Sequence, residues 1–347
     1  MELLKTMQNI GYGEIYVRHH KPSKLSAIIG IHSTQLGPAL GGCRLAPYPD
    51  EAAAIDDVVR LAQSMSYKAA LAGLQHGGGK AVIVRPDGEF DRTALFRAFG
   101  DMVEQLGGRY VTAEDSGTTP TDMQIIRSVT SYVTGASIGH GGSGDPSPFT
   151  ALGVRRGIQA CVEFLFERET LQGLHVCVQG VGSVGYHLCK ELHALGAVLT
   201  VADTHPDRTA RAATEFGARV VSVAEITQTP CDVFAPCAFG GIVNDASIDT
   251  LKCRIIAGGA NNVLVESRHG DALTAKGIVY APDYAINAGG LINVAQELKG
   301  YDANIATQRT LKIHDTIWRI LKESRDTGVP PHRVADGMAE RMLQGNP

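Results

Sequence analysis

His175-Val-Cys-Val-Gln-Gly-Val-Gly-Ser-Val-Gly-Tyr-His-Leu-Cys-Lys-Glu-Leu192 decides the fold. It opens as an apolar β run and closes as a helix, with Gly180, Gly182 and Gly185 spaced as G-x-G-x-x-G between them. The glycine string alone is a weak signal. Its context strengthens it: a second β run, 198–202, follows, and Asp203 ends that run 18 positions after Gly185. In a strand–turn–helix of this kind Gly180 permits the tight turn, Gly182 lets a pyrophosphate reach the backbone, and Gly185 allows close helix–strand packing. The helix N-terminal amides around Val181, Ser183 and Val184 then bind the phosphates. Asp203 accepts hydrogen bonds from ribose hydroxyls and repels a 2′-phosphate, which predicts NAD rather than NADP. Arg208 and Arg211 are nearby cations that soften that discrimination.

Downstream, β runs at 219–223, 232–235, 254–257 and 278–280 alternate with helices, as a doubly wound sheet requires. Their ends carry Cys237, Ala238 and Asn262, and ligands of such sheets bind at the carboxyl ends of strands. Asn287 precedes Gly289-Gly290-Leu291, which enters a further helix, and amphipathic helices over 302–325 and 332–343 close the chain. Upstream, residues 139–148 hold four glycines and two prolines, a hinge or linker composition. A helix over 149–166 follows it. The 347 residues suit two domains.

The first of these alternates β runs at 14–19, 26–32 and 110–112 with helices from Asp50 or Glu51 and over 92–106. Leu36 to Arg44 is expected to be a glycine-punctuated turn. On the first helix, Val58, Leu61, Met65, Lys68 and Ala72 share one arc, which places Lys68 toward the interior. Gly77-Gly78-Gly79 then presents Lys80 at the mouth of a β run, 81–84. Three glycines suit a place where something approaches the backbone closely. Either lysine alone fits a snorkelling side chain or an ordinary strand edge. Together they fit an anionic substrate, with one lysine tuned for chemistry. Asp115 follows a strand end and precedes a glycine, where a catalytic carboxylate is at home. Equally, Asp115 or Thr118 would cap a helix starting near Pro120.

Composition excludes several classes. With 44% hydrophobic and 20% charged residues and a net charge of −4, the chain is an ordinary globular protein without a basic field for nucleic acid or anionic membrane. No apolar run approaches the roughly 18 residues of a membrane span, and charges interrupt the N-terminus where a signal peptide needs an apolar core. Seven scattered cysteines predict reduced thiols, a cytoplasmic setting and no metal site.

Eight strings agree on one family. LGPALGGCR (36–44), MSYKAALAGLQHGGGKAVI (65–83), TAEDSGTT (112–119), GDPSPFTALGV (144–154), QGVGSVG (179–185), APCAFGG (235–241), GGANN (258–262) and PDYAINAGGLINV (282–294) run in that family's order. The chain resembles the glutamate/leucine/phenylalanine/valine dehydrogenases, most closely the leucine and other branched-chain members. The resemblance implies reversible oxidative deamination of an L-amino acid by NAD and water, giving a 2-oxo acid, NADH and ammonium. It implies that Lys68 binds the substrate carboxylate, that Lys80 activates water against an iminium, and that Asp115 shuttles a proton on the amine. Thr150 and Asn262 lie where the family positions nicotinamide and substrate. Leu40, Gly41, Ala113, Leu291 and Val294 form the implied substrate pocket. Glutamate-specific members place a lysine and a serine at Leu40 and Val294, so an aliphatic substrate is implied, with Leu291 leaning toward an aromatic one. The architecture implied is a two-domain α/β fold. A substrate domain (1–140, with 325–347 returning to it) and a Rossmann-type NAD domain (141–324) flank a cleft, within a symmetric homo-oligomer.

Overall fold

The computed structural model describes residues 3–9, 11, 13–135 and 142–345, so part of the boundary read at 139–148 lies outside the described residues. The chain forms two compact units. One comprises residues 1–144, 294–302 and 339–347, the other 145–293 and 303–338.

The first unit carries α1 (Leu3–Asn9), β1 (Glu14–His20), β2 (Leu25–Ser33), β3 (Ala39–Ala46), α2 (Glu51–Leu71), β4 (Gly77–Val84), α3 (Arg92–Glu104), β5 (Tyr110–Glu114) and α4 (Pro120–Arg127). Its sheet runs β1-β2-β4-β3-β5. β1, β2 and β4 pair antiparallel, while β3 is parallel to both β4 and β5. Alternation along the strands divides the apolar residues between two cores. Leu25, Ile29, Ile31, Cys43, Ala81 and Ile83 pack with α3 and α4, whereas Ile28 and Val82 pack with Ala54, Val58, Val59 and Ala62 of α2. Asp50 caps α2 by accepting the Ala53 amide at 2.8 Å.

Three sequence expectations change here. The segment expected to be a turn at Leu36 to Arg44 is largely strand, since Gly41 and Gly42 lie inside β3. Likewise Gly77, Gly78 and Gly79 open β4 instead of preceding it. Glycine ordinarily weakens a strand, but a Cβ at Gly41 would overlap the Gly79 carbonyl, and one at Gly78 would overlap the Ser66 amide. Close packing of strand on strand and of α2 on the sheet therefore demands these glycines. The same approach rotates the buried stripe of α2. Val58, Val59, Ala62, Ser66, Ala69 and Ala70 are buried, while Leu61, Met65 and Lys68 run half-buried along its edge.

The second unit holds α5 (Ser147–Phe166), β6 (His175–Gln179), α6 (Ser183–Ala194), β7 (Val198–Ala202), α7 (Pro206–Phe216), β8 (Arg219–Val220), β9 (Val233–Pro236), β10 (Ile255–Ile256), α8 (Ser267–Ala275), β11 (Val279–Tyr280), α9 (Asp283–Ile286), α10 (Gly289–Ala295), α11 (Ala303–Leu311), α12 (Ile313–Thr327) and α13 (Pro331–Leu343). The last residues of α10 and of α13 fall in the first unit. The all-parallel order β11-β10-β9-β6-β7-β8 is that of a doubly wound dinucleotide-binding sheet. The single helix expected over 302–325 is two, α11 and α12. They part at Lys312, whose amide makes a tight turn onto the Arg309 carbonyl at 3.1 Å.

Candidate active site

Pairing of Leu40 with Gly78 and of Arg44 with Val82 sets Leu40, Gly42 and Arg44 of β3 on the same sheet face as Gly78, Lys80 and Val82 of β4. Lys80 is 6% exposed, and its partner across β2 is Gly30. Asp115 leaves the end of β5 toward this face. A Cβ at Gly42 would come within 2.7 Å of the Asp115 Cβ, so the glycine makes room for the carboxylate. Lys80 Nζ meets Asp115 Oδ2 at 2.8 Å, and Arg44 Nε approaches the same oxygen at 3.3 Å. Arg44 is itself held by Asp57 Oδ2 at 2.8 Å, which also accepts the Tyr48 hydroxyl at 2.6 Å. Burial pushes the Asp115 carboxyl up, but the Lys80 ammonium and the Arg44 guanidinium outweigh it and hold the group below the usual carboxylate range. The nearest charge recorded at Lys80 is thus an opposite one, a half-buried carboxylate. The arrangement sets an amine nitrogen and a carboxylate in hydrogen-bond contact, where a proton can pass between them.

The alternative role of Asp115 as a helix cap is not what the structure contains. Thr119 caps α4, in a capping box with Asp122, and Thr118 braces the loop through the Asp115 amide at 2.9 Å and the Cys43 carbonyl at 3.1 Å. The Asp115 carboxylate meets Lys80 and Arg44 instead. Arg44, Asp57 and Tyr48 are the functional neighbours that sequence reasoning missed. Had β3 been read as a strand, its period of two would have put Arg44 on the face of Lys80. Lys68, in the last turn of α2, is half-buried, and Leu40, Gly41 and Ala113 lie on β3 and β5. Gly41 accepts the Tyr110 hydroxyl at 2.6 Å through its carbonyl. Val294 belongs to the first unit and Leu291 to the second.

In the second unit β6 leads through the glycine turn into α6. Gly180 takes φ +87°, open to glycine at little cost, and a Cβ at Gly185 would overlap its carbonyl. Gly182 differs: its Cβ would meet only Arg208 Nη1, at 3.7 Å. A cavity of about 420 Å³ opens here, lined by Val181, Gly182, Ser183, Arg208 and Arg211 among others. Asp203 closes β7 with a side chain only 6% exposed. Its Oδ2 accepts the Val181 amide at 2.8 Å and its Oδ1 the His205 amide at 2.9 Å. Burial raises this carboxyl, yet those two amides, the His205 ring and Arg208 bring it below its ordinary value. Cys237 and Ala238 leave β9 beside Gly180, the Cys237 amide bonding the Gln179 carbonyl at 2.7 Å. Burial pushes the Cys237 thiol up to about 12, which keeps it neutral.

Thr150 donates to the Pro146 carbonyl at 3.2 Å and packs where a Cβ on Gly290 would come within 2.7 Å of its hydroxyl. Asn262 holds a left-handed φ of +53° and accepts the Gly241 amide at 2.7 Å through its carbonyl. Asn287 donates to Asn261 Oδ1 at 2.7 Å, and its buried Oδ1 receives no donor among the described residues. Val184 lies in the first turn of α6. The cradle at Gly182 and the unmet acceptor on Asn287 both fit a nicotinamide dinucleotide, the first its phosphates and the second an amide donor. Among the described residues no cluster of metal ligands forms and no helix is long and apolar enough to cross a membrane.

Comparison with known proteins adds an independent line. A model described as the Glu/Leu/Phe/Val dehydrogenase dimerisation domain matches residues 14–132, and a Glutamate/Leucine/Phenylalanine/Valine dehydrogenase model matches 205–323. Leucine dehydrogenase of Geobacillus stearothermophilus is 49% identical over 99% of this chain and 94% of its own. Valine dehydrogenase of Streptomyces albus is 42% identical over 96% and 92%. The crystal structure of L-tryptophan dehydrogenase from Nostoc punctiforme superposes with a TM-score of 0.88, at 41% identity and 99% coverage of both chains.

Proposed function

The chain belongs to the glutamate/leucine/phenylalanine/valine dehydrogenase family, and from that premise we propose that it catalyses the reversible, NAD-dependent oxidative deamination of a branched-chain L-amino acid to the 2-oxo acid and ammonium. The observation that carries this proposal is the pair of the buried Lys80 with the half-buried Asp115, joined at 2.8 Å. NAD, when bound, supplies the acceptor for the hydride leaving the substrate α-carbon. Lys68 holds the substrate carboxylate. Lys80 takes a proton from the water that adds to the substrate iminium, and Asp115, ionised at neutral pH, moves a proton on and off the substrate nitrogen. Gly180, Gly182, Gly185 and the N-terminus of α6 receive the phosphates, Asp203 the ribose, and Thr150, Asn262 and Asn287 the nicotinamide end.

Aliphatic selectivity is supported by Leu40, 1% exposed, and by Ala113 and Val294, which offer a second substrate carboxylate no partner. An aromatic substrate is the second proposal, favoured by the tryptophan dehydrogenase relative and by the bulk of Leu291. Burial of thiols such as Cys43, Cys161 and Cys189 supports a cytosolic setting, and the dimerisation-domain match supports a homo-oligomer. NADH formation across leucine, isoleucine, valine, phenylalanine, tryptophan and glutamate tests the whole proposal. Leucine, isoleucine or valine is expected to lead. Glutamate as best substrate would overturn the pocket assignment, and an aromatic leader would replace the first proposal with the second.

A further inference from the structure

The carboxylate assigned to exclude NADP has a cation beside it. Asp203 Oδ1 lies 3.7 Å from Arg208 Nη1 and 3.2 Å from His205 Nδ1, while its amide partners are Val181 and His205. Asp203 is 6% exposed and Arg208 49%, so the cation is the outer member of the pair. A guanidinium carries five N–H donors, and 3.7 Å is an ion-pair distance rather than a hydrogen bond, so this contact consumes none of them. The same Nη1 stands 3.7 Å from the Cβ position of Gly182, so the guanidinium reaches from the ribose acceptor to the phosphate turn. Arg211 lines the same cavity, but its charge is engaged: Nε bonds Glu215 Oε1 at 2.8 Å and the guanidinium stacks 3.7 Å over Tyr186. Asp145 and Asp207, an acid lining the cavity and one in the first turn of α7, act against an incoming anion.

A lone aspartate repels a 2′-phosphate by like charge. An aspartate whose charge is balanced by an arginine with open donors does so far less, because guanidinium–phosphate hydrogen bonds are among the strongest that side chains make. We propose that Arg208 is a specificity-determining residue that admits NADP as a second, weaker cofactor, its guanidinium taking the 2′-phosphate that Asp203 alone would reject. The proposal rests on the NAD site proposed above and deepens it.

Titration of NADH and NADPH by dihydronicotinamide fluorescence, with the wild type, Arg208→Ala and Arg208→Lys, tests it without reference to turnover. Saturable NADPH binding is expected in the wild type. In Arg208→Ala the ratio Kd(NADPH)/Kd(NADH) is expected to rise more than about fivefold, the scale of a lost charge-assisted contact. Removing the cation takes no hydrogen bond from Asp203, so NADH binding should hold while NADPH binding weakens. A merely structural loss would weaken both alike. Arg208→Lys should restore part of the ratio, and 2′,5′-ADP should displace NADH less well from Arg208→Ala than from the wild type, with 5′-AMP unaffected. A ratio change below about fivefold, or a wild type blind to NADPH, overturns the role of Arg208. If NADH and 5′-AMP fail to bind at all, the NAD site itself is refuted, a result distinct from the first.

Discussion

At Gly78 a methyl group would overlap the backbone amide of Ser66; at Gly182 it would find its nearest neighbour 3.7 Å away. The neighbours of Gly78 tell the same story, because a Cβ at Gly77 would overlap the Ser33 carbonyl and one at Gly79 would stand 2.8 Å from the Tyr110 ring. The glycines of β4 are filled from within the protein. They let α2 and the flanking strands close on β4, and so fix the strand that carries Lys80. In the turn after β6, Gly180 and Gly185 serve packing in the same way, but at Gly182 the only approach among the described residues is the Arg208 guanidinium, 3.7 Å away. Other open glycines, such as Gly217 and Gly328, take a positive φ where they end α7 and α12; Gly182 has φ −68°, so neither crowding nor backbone conformation calls for glycine there.

Single substitutions separate the two kinds. Gly78→Ala should cost about 3 kcal/mol or more, because backbone rather than a side-chain tip must yield. The readout is the urea midpoint of the soluble fraction, and near-wild-type stability would break the distinction. Lys80→Ala should lower turnover about 10²-fold or more while NADH still binds, since it removes the proposed base and leaves the glycine turn after β6 untouched. More than a tenth of wild-type turnover would refute that role. Gly182→Ala should behave in the opposite sense, holding its stability within about 1 kcal/mol yet weakening NADH binding roughly tenfold, the effect of a methyl between phosphate and backbone. Equal losses of stability at Gly78 and Gly182 would erase the contrast.

Two smaller effects sharpen the description of the Lys80 side. Thr119→Ala should destabilise by about 1 kcal/mol through loss of the α4 cap, with turnover changed less than about twofold. A large loss of turnover would mean that the loop carrying Asp115 depends on the cap. Arg44→Gln removes one of the two cations that hold Asp115 below its ordinary value of 3.8. Stability gained from a depressed carboxyl is complete above the unfolded pKa and is lost as pH falls through the folded one. The variant should therefore be less stable than the wild type near neutral pH, by under about 1 kcal/mol for a partly exposed pair, and the gap should close as the pH falls below the ordinary value of 3.8. A pH-independent gap would assign Arg44 a packing role instead.

The glycine turn after β6 was legible because its information is local: Gly180, Gly182, Gly185 and Asp203 lie within 24 residues, in one strand–turn–helix–strand. The first unit was harder. Lys80 and Arg44 come from two strands and Asp115 from the end of a third, and what joins them is register, which hydrophobic pattern specifies poorly where strands are rich in glycine. Gly41 and Gly42 suggested a turn for the same reason. Composition argues against strand there, and only the crowding by Gly79 and Asp115 explains it. The break at Lys312 was invisible because both helices around it keep an amphipathic pattern. Arg44 was missed through the strand error, and the ion pair of Arg208 with Asp203 emerges only once α7 is placed.

Glu297 holds a further consequence. Its side chain is 2% exposed and accepts the amides of Gly135 and Ser143 and the Ser143 hydroxyl at 2.6 Å, with Arg127 3.6 Å away. This carboxylate sits on an excursion of nine residues, 294–302, by which the chain returns to the first unit, and 339–347 makes the same return, bringing Glu340 to the Tyr67 hydroxyl at 2.8 Å. For recombination between relatives this means that no single crossover point exchanges one unit whole. A chimaera joined after residue 144 would mate Gly135 and Ser143 from one parent with Glu297 from the other, so the clasp and its partners must be inherited together, and the interchangeable parts of this gene are interleaved rather than consecutive.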